Sequence, residues 1–158
     1  SWNQASRSTV STASLVQEME QHQANCSAPV MRFDVDHSFG LGSHLVLWSQ
    51  ALCNAWELGY RIQTYTPPES PWLWLDQTLC DTTATSPLEC YFPQAETKCP
   101  QDHLVDPLSL PTVPDPRDRK QFCSRLRNSN YTNALRHFRT ASFRYLFQHL
   151  SPLVVNDA

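Results

Sequence analysis

The stretch FDVDHSFGLGSHLVLWSQALCNAWELGYRIQT, residues 33–64, predicts a strand, a glycine turn, a helix and a second strand in direct succession. The first strand is the mostly apolar run Val30–Val35, and the second is Tyr60–Tyr65, which is rich in β-forming residues. Apolar residues recur between them at helical spacing: Leu45, Trp48, Leu52, Ala55 and Trp56. A narrow polar stripe accompanies them: Gln50, Asn54 and Glu57. This order predicts a βαβ unit with a parallel sheet.

The turn before the helix contains Gly40 and Gly42, two of the three glycines in the chain. Ser43 is the predicted N-cap of the helix, and Gly59 stands where a C-cap glycine is expected. A glycine turn that opens a helix exposes backbone N–H groups at the positive end of the helix dipole, an arrangement that suits a phosphate. The spacing lacks the third glycine of a dinucleotide fingerprint and the Lys-Ser/Thr of a P-loop, so a plain tight turn remains the alternative.

Length and composition are those of one globular domain. The chain has 158 residues, of which 41% are hydrophobic and 17% charged. It contains no apolar run of the roughly 20 residues that a membrane helix requires. Because the chain begins with Ser and has no signal-like segment, we expect it to be an excised or processed piece of a longer protein.

Charge is distributed unevenly along the chain. The formal net charge is −3, with eight basic and three acidic residues from Val113 onward, so that part carries +5 and the remainder −8. The basic end could meet an anionic donor or glycan, or it could simply form a solvated helix face. No nucleic-acid partner is expected.

Two glycosylation sequons and six cysteines favour the secretory pathway, in the Golgi or ER lumen, or secretion. The sequons are Asn25-Cys-Ser and Asn130-Tyr-Thr. The cysteines are Cys26, Cys53, Cys80, Cys90, Cys99 and Cys123.

Disulfides are the favoured use of these cysteines, although six allow 15 pairings. Cys80, Cys90 and Cys99 have the spacing of small disulfide loops, whereas Cys53 lies in mid-helix and is predicted to be a free core thiol. Metal binding is the rival interpretation, but no CxxC pair or close Cys/His cluster supports it. We therefore predict no metal site.

The chain divides into three parts. Residues 1–28 are a polar lead-in, predicted to be disordered over 1–12 and to form a marginal helix over 13–23. Residues 29–153 are predicted to form a Rossmann-like lobe, which contains a Cys/Pro-rich excursion (66–116) and a closing helix (130–151). Within the excursion, Leu88–Phe92 is a predicted short strand. Residues 154–158 are predicted to be the start of a truncated continuation.

Several stretches resemble fucosyltransferases of the α1,6 and protein O-fucosyltransferase type. The first is Phe39-Gly-Leu-Gly-Ser-His-Leu45 with the helix and strand that follow. Trp72-Leu-Trp-Leu-Asp76 and Ser86-Pro-Leu-Glu-Cys-Tyr-Phe92, with Cys80 and Cys99, look like segments of algal and protist members. Phe143–Pro152 is similar to the helix that closes the first lobe in that family. The likeness covers roughly residues 30–153.

The resemblance implies a GT-B-like fold of two Rossmann-like lobes with the nucleotide sugar between them. It implies transfer of a sugar from GDP-fucose, with inversion and no essential metal or other cofactor, to a glycan or protein acceptor. Leu41, Gly42 and Ser43 would then lie against the donor, with His44 next to it. The C-terminal lobe of the same chain, which supplies most nucleotide contacts in the family, has no counterpart in these residues. The chain is therefore expected to be an incomplete fold and inactive alone.

Asp36 and His37 are candidates for an acid/base pair or for acceptor binding, and no catalytic residue is assigned. Asp34-Val-Asp36 also has the Asp-x-Asp spacing that holds a metal-bound nucleotide in a different glycosyltransferase fold. Since it lies at a strand end before a glycine turn, coincidence is the preferred interpretation of that spacing.

A second hypothesis is a secreted, disulfide-bonded module that binds a glycan or protein without catalysis. It depends on Trp72 and Trp74, which could stack on a sugar ring but which more often pack in a core. The transferase hypothesis predicts an open sheet with helices on both faces, a glycine turn at the carboxyl end of a strand, and a large apolar surface where the second lobe would dock. The binding-module hypothesis predicts a closed surface without such an apolar face, and exposed tryptophans side by side.

Overall fold

A computed structural model describes residues 2–38, 40–72, 78–80, 84–126, 131–148 and 150–151, with side chains for all except 2–11 and 131–132. Its helices and strands, in chain order, are α1 (Trp2–Gln23), β1 (Val30–Asp34), α2 (Leu41–Glu57), β2 (Arg61–Tyr65) and α3 (Tyr131–Phe147). Short 3₁₀ helices lie between β2 and α3: Pro87–Cys90, Pro100–His103, Pro107–Ser109, Arg119–Gln121 and Ser124–Leu126.

The predicted strand, helix and parallel strand are confirmed. Strand β1 pairs with β2 in parallel, with Val30 opposite Arg61 and Asp34 opposite Tyr65. Within the described residues the sheet has these two strands. On the other edge of β1, Arg32 forms a parallel bridge with Thr112: Arg32 N–H donates to Pro111 O at 2.7 Å, and Val113 N–H donates to Arg32 O at 2.9 Å.

Helix α2 begins three residues earlier than the sequence predicted. Its N-cap is Gly40, in an extended conformation, so Ser43 lies in the first turn and the prediction of Ser43 as N-cap is wrong. The C-terminal prediction is confirmed, because Gly59 has φ +83°. Gly59 N–H donates to Trp56 O and Tyr60 N–H to Ala55 O, both at 2.9 Å, which is the Schellman pattern.

Helix α1 is longer than predicted: the structure has one helix over Trp2–Gln23 where the sequence predicted disorder over 1–12. The reason is tertiary contact, since α1 packs against α3. Thr12 is 5% exposed and its hydroxyl lies 3.2 Å from His137 Nδ1. Packing of this kind overrides the weak helix propensity of a Ser/Thr-rich segment.

The helices cover one side of the sheet, which we call the helical side. Met31, Phe33 and Ile62 point to it and are 8%, 4% and 2% exposed. They form one core with residues of all three helices: Met19, Trp48, Leu52, Phe138 and Leu146. Helix α3 lies within the range 130–151 predicted for the closing helix and ends at Phe147.

The opposite side of the sheet carries polar residues and is covered by residues 100–111, which we call the strap. In the described residues the α-helices thus cover one face of the sheet, whereas the sequence predicted helices on both faces. Arg61 donates to both carboxylate oxygens of Asp102, at 2.7 and 3.0 Å, and the two side chains are each 3% exposed. Arg32 donates to Pro107 O at 3.2 Å. The strap is therefore attached to the sheet by hydrogen bonds and an ion pair.

The outer edge of β2 is paired by side chains. The Gln23 carboxamide accepts from Ile62 N–H at 3.1 Å and donates to Ile62 O at 3.3 Å. Glu96 accepts from Thr64 N–H at 2.7 Å. These side chains satisfy backbone groups that a further strand would otherwise pair.

Three disulfides join Cys26 to Cys99, Cys53 to Cys123 and Cys80 to Cys90. The prediction of a free Cys53 is therefore wrong. Cys123 is brought to Cys53 by Asn54, which belongs to the polar stripe of α2. The Asn54 side chain donates to Pro114 O at 3.0 Å and accepts from Cys123 N–H at 2.8 Å. Three disulfides are typical of a protein from an oxidising, secreted or lumenal compartment.

The predicted strand over Leu88–Phe92 is also wrong, because Pro87–Cys90 is a 3₁₀ helix. Ser86 caps it by accepting from Leu88 N–H at 3.2 Å, and proline occupies its first turn. A Ser-Pro pair that starts a helix outweighs the β propensity of Tyr91 and Phe92.

No helix in the described part of the chain is long and apolar enough to cross a membrane.

Candidate functional site

The carboxyl ends of both strands meet at one edge of the sheet, where α2 begins. Val35 N–H donates to Tyr65 O at 2.9 Å, so the chain after β1 stays beside β2 before it turns into α2. This edge is where ligands bind in open parallel α/β sheets. The sequence-predicted residues Asp36, His37 and Leu41–His44 all belong to it.

The N-terminus of α2 has no side-chain cap. The first backbone bond in this turn is from His44 N–H to Gly40 O at 2.9 Å, which leaves the N–H groups of Leu41, Gly42 and Ser43 without helical partners. A Cβ atom placed on Gly42 would meet nothing within 4 Å. The first turn therefore offers three N–H donors and open space next to them, as an anion-binding helix end requires.

Asp36 is an ionised acceptor at this edge. Ser38 donates to its Oδ1 from both the backbone N–H, at 2.8 Å, and the hydroxyl. These hydrogen bonds hold the pKa of the Asp36 carboxyl below its usual range, aided by the nearby charges of His37 and Arg117. Asp36 is thus a poor proton donor at neutral pH.

His37 makes a hydrogen bond with Ser70, and none with Asp36 is present among the described residues. Its Nδ1 lies 2.5 Å from Ser70 Oγ, and the residue is exposed. The two side chains share an edge of the sheet, yet each is held by its own serine. The structure therefore brings the two candidates near each other without forming the dyad that an acid/base pair needs.

His44 is part of the core. It is 0% exposed, and its ring packs edge-on against Trp72 and Phe33, with centroids 4.5 and 5.8 Å away. Neither ring nitrogen has a hydrogen-bond partner among the described residues. Burial lowers the pKa of His44 to about 3, so the imidazole is neutral at physiological pH. The His44 side chain therefore packs in the core beneath the first turn of α2.

Trp72 is buried as well, at 1% exposure, and packs edge-on against Tyr91 as well as His44. A fully buried indole cannot stack on a sugar ring in this conformation. Trp74, its predicted partner, lies outside the described residues. The structure thus removes Trp72 from the exposed pair that the binding-module hypothesis predicts.

The first carboxylate of the Asp-x-Asp spacing, Asp34, is bound to an arginine. Arg32 donates to both oxygens of Asp34, at 2.6 and 3.1 Å, so this carboxylate is already paired. In the described part of the chain there is no cluster of three His, Cys, Asp or Glu side chains that could hold a metal ion.

A second feature at this edge comes from the basic part of the chain. A cavity of about 220 Å³ lies beside the end of β1 and is lined by Asp34, Val113 and Arg117, among others. The Arg117 side chain is 65% exposed, and its Nε lies 3.4 Å from Asp115 Oδ1. One of the basic residues noted in the sequence thus reaches the carboxyl edge of the sheet.

Glu96 supports the site, and sequence reasoning missed it. Its carboxylate accepts from Trp48 Nε1 of α2 and from Thr64 Oγ1 of β2, both at 2.6 Å, and from Ser86 Oγ at 2.5 Å. Burial raises the pKa of Glu96, and the hydrogen bonds oppose that rise. Glu96 thereby fixes α2 against β2; an isolated Glu in a loop gives no sequence signal for this.

Of the two predicted glycosylation sites, Asn25 is exposed in the turn after α1 and Asn130 lies outside the described residues. No known protein family, curated protein or solved structure shows significant similarity to this chain. The function of the chain is therefore inferred from the geometry of the site and from the resemblance of individual segments.

Proposed function

We propose that this chain supplies the donor-binding side of an inverting glycosyltransferase, which transfers fucose from GDP-fucose to a glycan or protein acceptor in the Golgi or ER lumen. The observation that carries the proposal is the uncapped N-terminus of α2 at the carboxyl edge of two parallel strands, with open space at Gly42. A helix end of this kind suits an anion such as a phosphate group. The fucosyltransferase-like segments favour a GDP-sugar over other nucleotides.

In this proposal the first turn of α2 holds a phosphate through the backbone N–H groups of Leu41, Gly42 and Ser43. Arg117, at the same edge, adds positive charge. Because the His44 side chain is buried, it contributes only by packing under the turn. Asp36 and His37 face the same edge, where an ionised carboxylate can orient an acceptor hydroxyl and an imidazole can receive its proton.

The proposed enzyme has the two-lobed GT-B architecture, with a second Rossmann-like lobe that closes over the nucleotide. An inverting transfer needs donor and acceptor to be held together and shielded from water. The α2 edge alone provides one wall of such a cleft. We therefore expect this chain to bind the donor weakly and to transfer no sugar by itself.

The test is isothermal titration of GDP and GDP-fucose into this chain and into the full natural protein, with two matched variants of Gly42. Gly42→Glu places a negative charge in the first turn, which the helix dipole tolerates but a phosphate does not. Gly42→Gln is its neutral control of similar size. We expect Gly42→Glu to bind GDP at least about tenfold more weakly than Gly42→Gln, with neither variant melting below the wild type, since both replace a glycine within a helix.

Equal binding by Gly42→Glu and Gly42→Gln would show that the α2 turn is not the phosphate site. If the full protein binds no sugar nucleotide at all, the transferase proposal fails. The secreted binding module would then be the better hypothesis.

A further inference from the structure

A cavity of about 470 Å³ lies at the other end of the sheet, between its polar side and the strap. Val30 and Arg61, the first residues of the two strands, belong to its wall. It is therefore separated from the α2 edge by the length of the strands. Its volume falls in the range of small-ligand sites, roughly 300–1,000 Å³.

The wall of this cavity favours an uncharged occupant. Its guanidinium, on Arg61, is already bound through two hydrogen bonds to Asp102. Much of the remaining wall is apolar, including Pro29, Val105 and Leu110. A phosphate or carboxylate would find no unpaired cation among these groups.

The side-chain amide nitrogen of one wall residue has no hydrogen-bond partner among the described residues. Gln63 is 3% exposed, and its Nε2 has no partner among the described residues. A buried donor left unpaired costs about 1–3 kcal/mol. An occupant with an uncharged carbonyl oxygen would satisfy it, and a single water, about 30 Å³, would leave most of the cavity unfilled.

The sequon at Asn25 lies at the cavity. Cys26 and Ser27, its second and third residues, form part of the wall. The exposed Asn25 carboxamide is folded over Ser27, whose N–H it accepts at 3.1 Å. A glycan on Asn25 would thus leave the chain beside the cavity.

We propose that this cavity receives the first N-acetylglucosamine of a glycan on Asn25. That sugar is uncharged and has an apolar ring face for the cavity wall. Its acetamido carbonyl accepts from Gln63 Nε2 once the Gln63 side chain turns toward the cavity, because this nitrogen is buried in the structure. Tyr60, also in the wall, provides an aromatic surface of the kind that sugar rings contact. The inference depends on glycosylation at Asn25 and not on the proposed transferase activity.

The test uses the full chain with Asn130→Gln, secreted from a eukaryotic host so that Asn25 carries the glycan. Three forms are compared by thermal unfolding: the intact glycan, a single N-acetylglucosamine left by an endoglycosidase, and none after peptide N-glycosidase. The last enzyme converts Asn25 to Asp, so Asn25→Asp is the matched control. We expect the single-sugar form to melt like the intact form, and complete removal to lower Tm by about 2–4 °C.

Gln63→Met removes the amide donor at nearly constant size, so it should abolish most of that difference. Independently, a ¹³C-labelled acetamido methyl group should show NOEs to Val30 or Val105. An unmodified Asn25 by mass spectrometry, equal Tm with one sugar and with none, or a Tm difference unchanged in Gln63→Met would each overturn the proposal.

Discussion

The two sides of the sheet are stabilised in different ways. On the helical side, Met31, Phe33 and Ile62 pack against the three helices. The strap side is held by the Arg61–Asp102 pair and retains a cavity. Apolar packing on one side supplies most of the stability, whereas directional bonds on the other fix the strap while leaving room beneath it.

Each side also contains a buried carboxylate, and the two are satisfied differently. Glu96 accepts four hydrogen bonds from uncharged donors on Trp48, Thr64 and Ser86. Asp102 is neutralised by Arg61 and accepts in addition from Cys99 N–H at 3.2 Å. A charge is tolerated inside a protein when such partners replace its hydration.

The largest effect is expected on the strap side. Asp102→Asn should lower the free energy of unfolding by about 3–5 kcal/mol, because it leaves the Arg61 guanidinium buried without a counter-ion. Urea denaturation measures the loss. The double variant Arg61→Met, Asp102→Leu is the control and should recover most of it, since no charge then remains buried. Equal destabilisation by both variants would mean that lost packing, not the charge, is responsible.

On the helical side, Glu96→Gln should cost about 2–3 kcal/mol in the same measurement. The amide presents N–H groups to donors, and the Trp48 indole cannot become an acceptor. Glu69→Gln, at an exposed position, is the matched control and should leave stability unchanged. A wild-type midpoint in Glu96→Gln would show that the carboxyl already carries a proton in the native state.

His44 should make the helical side sensitive to acid. Its pKa is about 3 in the folded chain and about 6.5 when unfolded, so the unfolded state binds the proton more readily. The folded state therefore keeps its full stability above pH 6.5. It loses stability as the pH falls from 6.5 toward 3, because His44 then takes up a proton in the unfolded state only. Between pH 7 and 5 this amounts to about 2 kcal/mol.

The measurement compares urea denaturation of the wild type and His44→Leu at those two pH values, so that other titrating groups cancel. The wild type should lose about 2 kcal/mol more than the variant. An identical loss in both would exclude His44 as the acid-sensitive group.

The smallest effects distinguish Gly42, in the first turn of α2, from Gly59, which follows its last turn. Gly59→Ala should destabilise by about 1 kcal/mol, because alanine is strained at φ +83°. Gly42→Ala should stabilise by roughly 0.5–1 kcal/mol, since its Cβ enters open space within a helix. Thermal unfolding of both variants gives the comparison. Destabilisation by Gly42→Ala would indicate that the first turn is packed more tightly than the structure has it.

The sequence predicted the local part of the fold. Periodicity over 30–65 was sufficient for β1, α2 and β2, and Gly59 marked the end of α2, because these signals are encoded within a few residues. The position of Leu41, Gly42 and Ser43 at the turn followed from the same pattern. The closing helix predicted over 130–151 corresponds to α3, Tyr131–Phe147.

Features that depend on distant residues could not be predicted. Cys53 pairs with a residue 70 positions away, and α1 extends toward Trp2 through its packing against α3. The polar stripe of α2 was visible, but not the segment that covers it. Burial of His44 depends on Trp72, and the role of Glu96 depends on three other segments. Such contacts leave no periodic signal.

The side-chain pairing along β2 also limits how the protein can associate. An open strand edge is a template onto which another chain can add, and it is a common start of aggregation. Here the carboxamide of Gln23 and the carboxylate of Glu96 form hydrogen bonds with the backbone groups of Ile62 and Thr64 that another strand would use. Any larger sheet must therefore grow from the Thr112 side of β1. The last residue of α1 thus protects the molecule against self-association through β2.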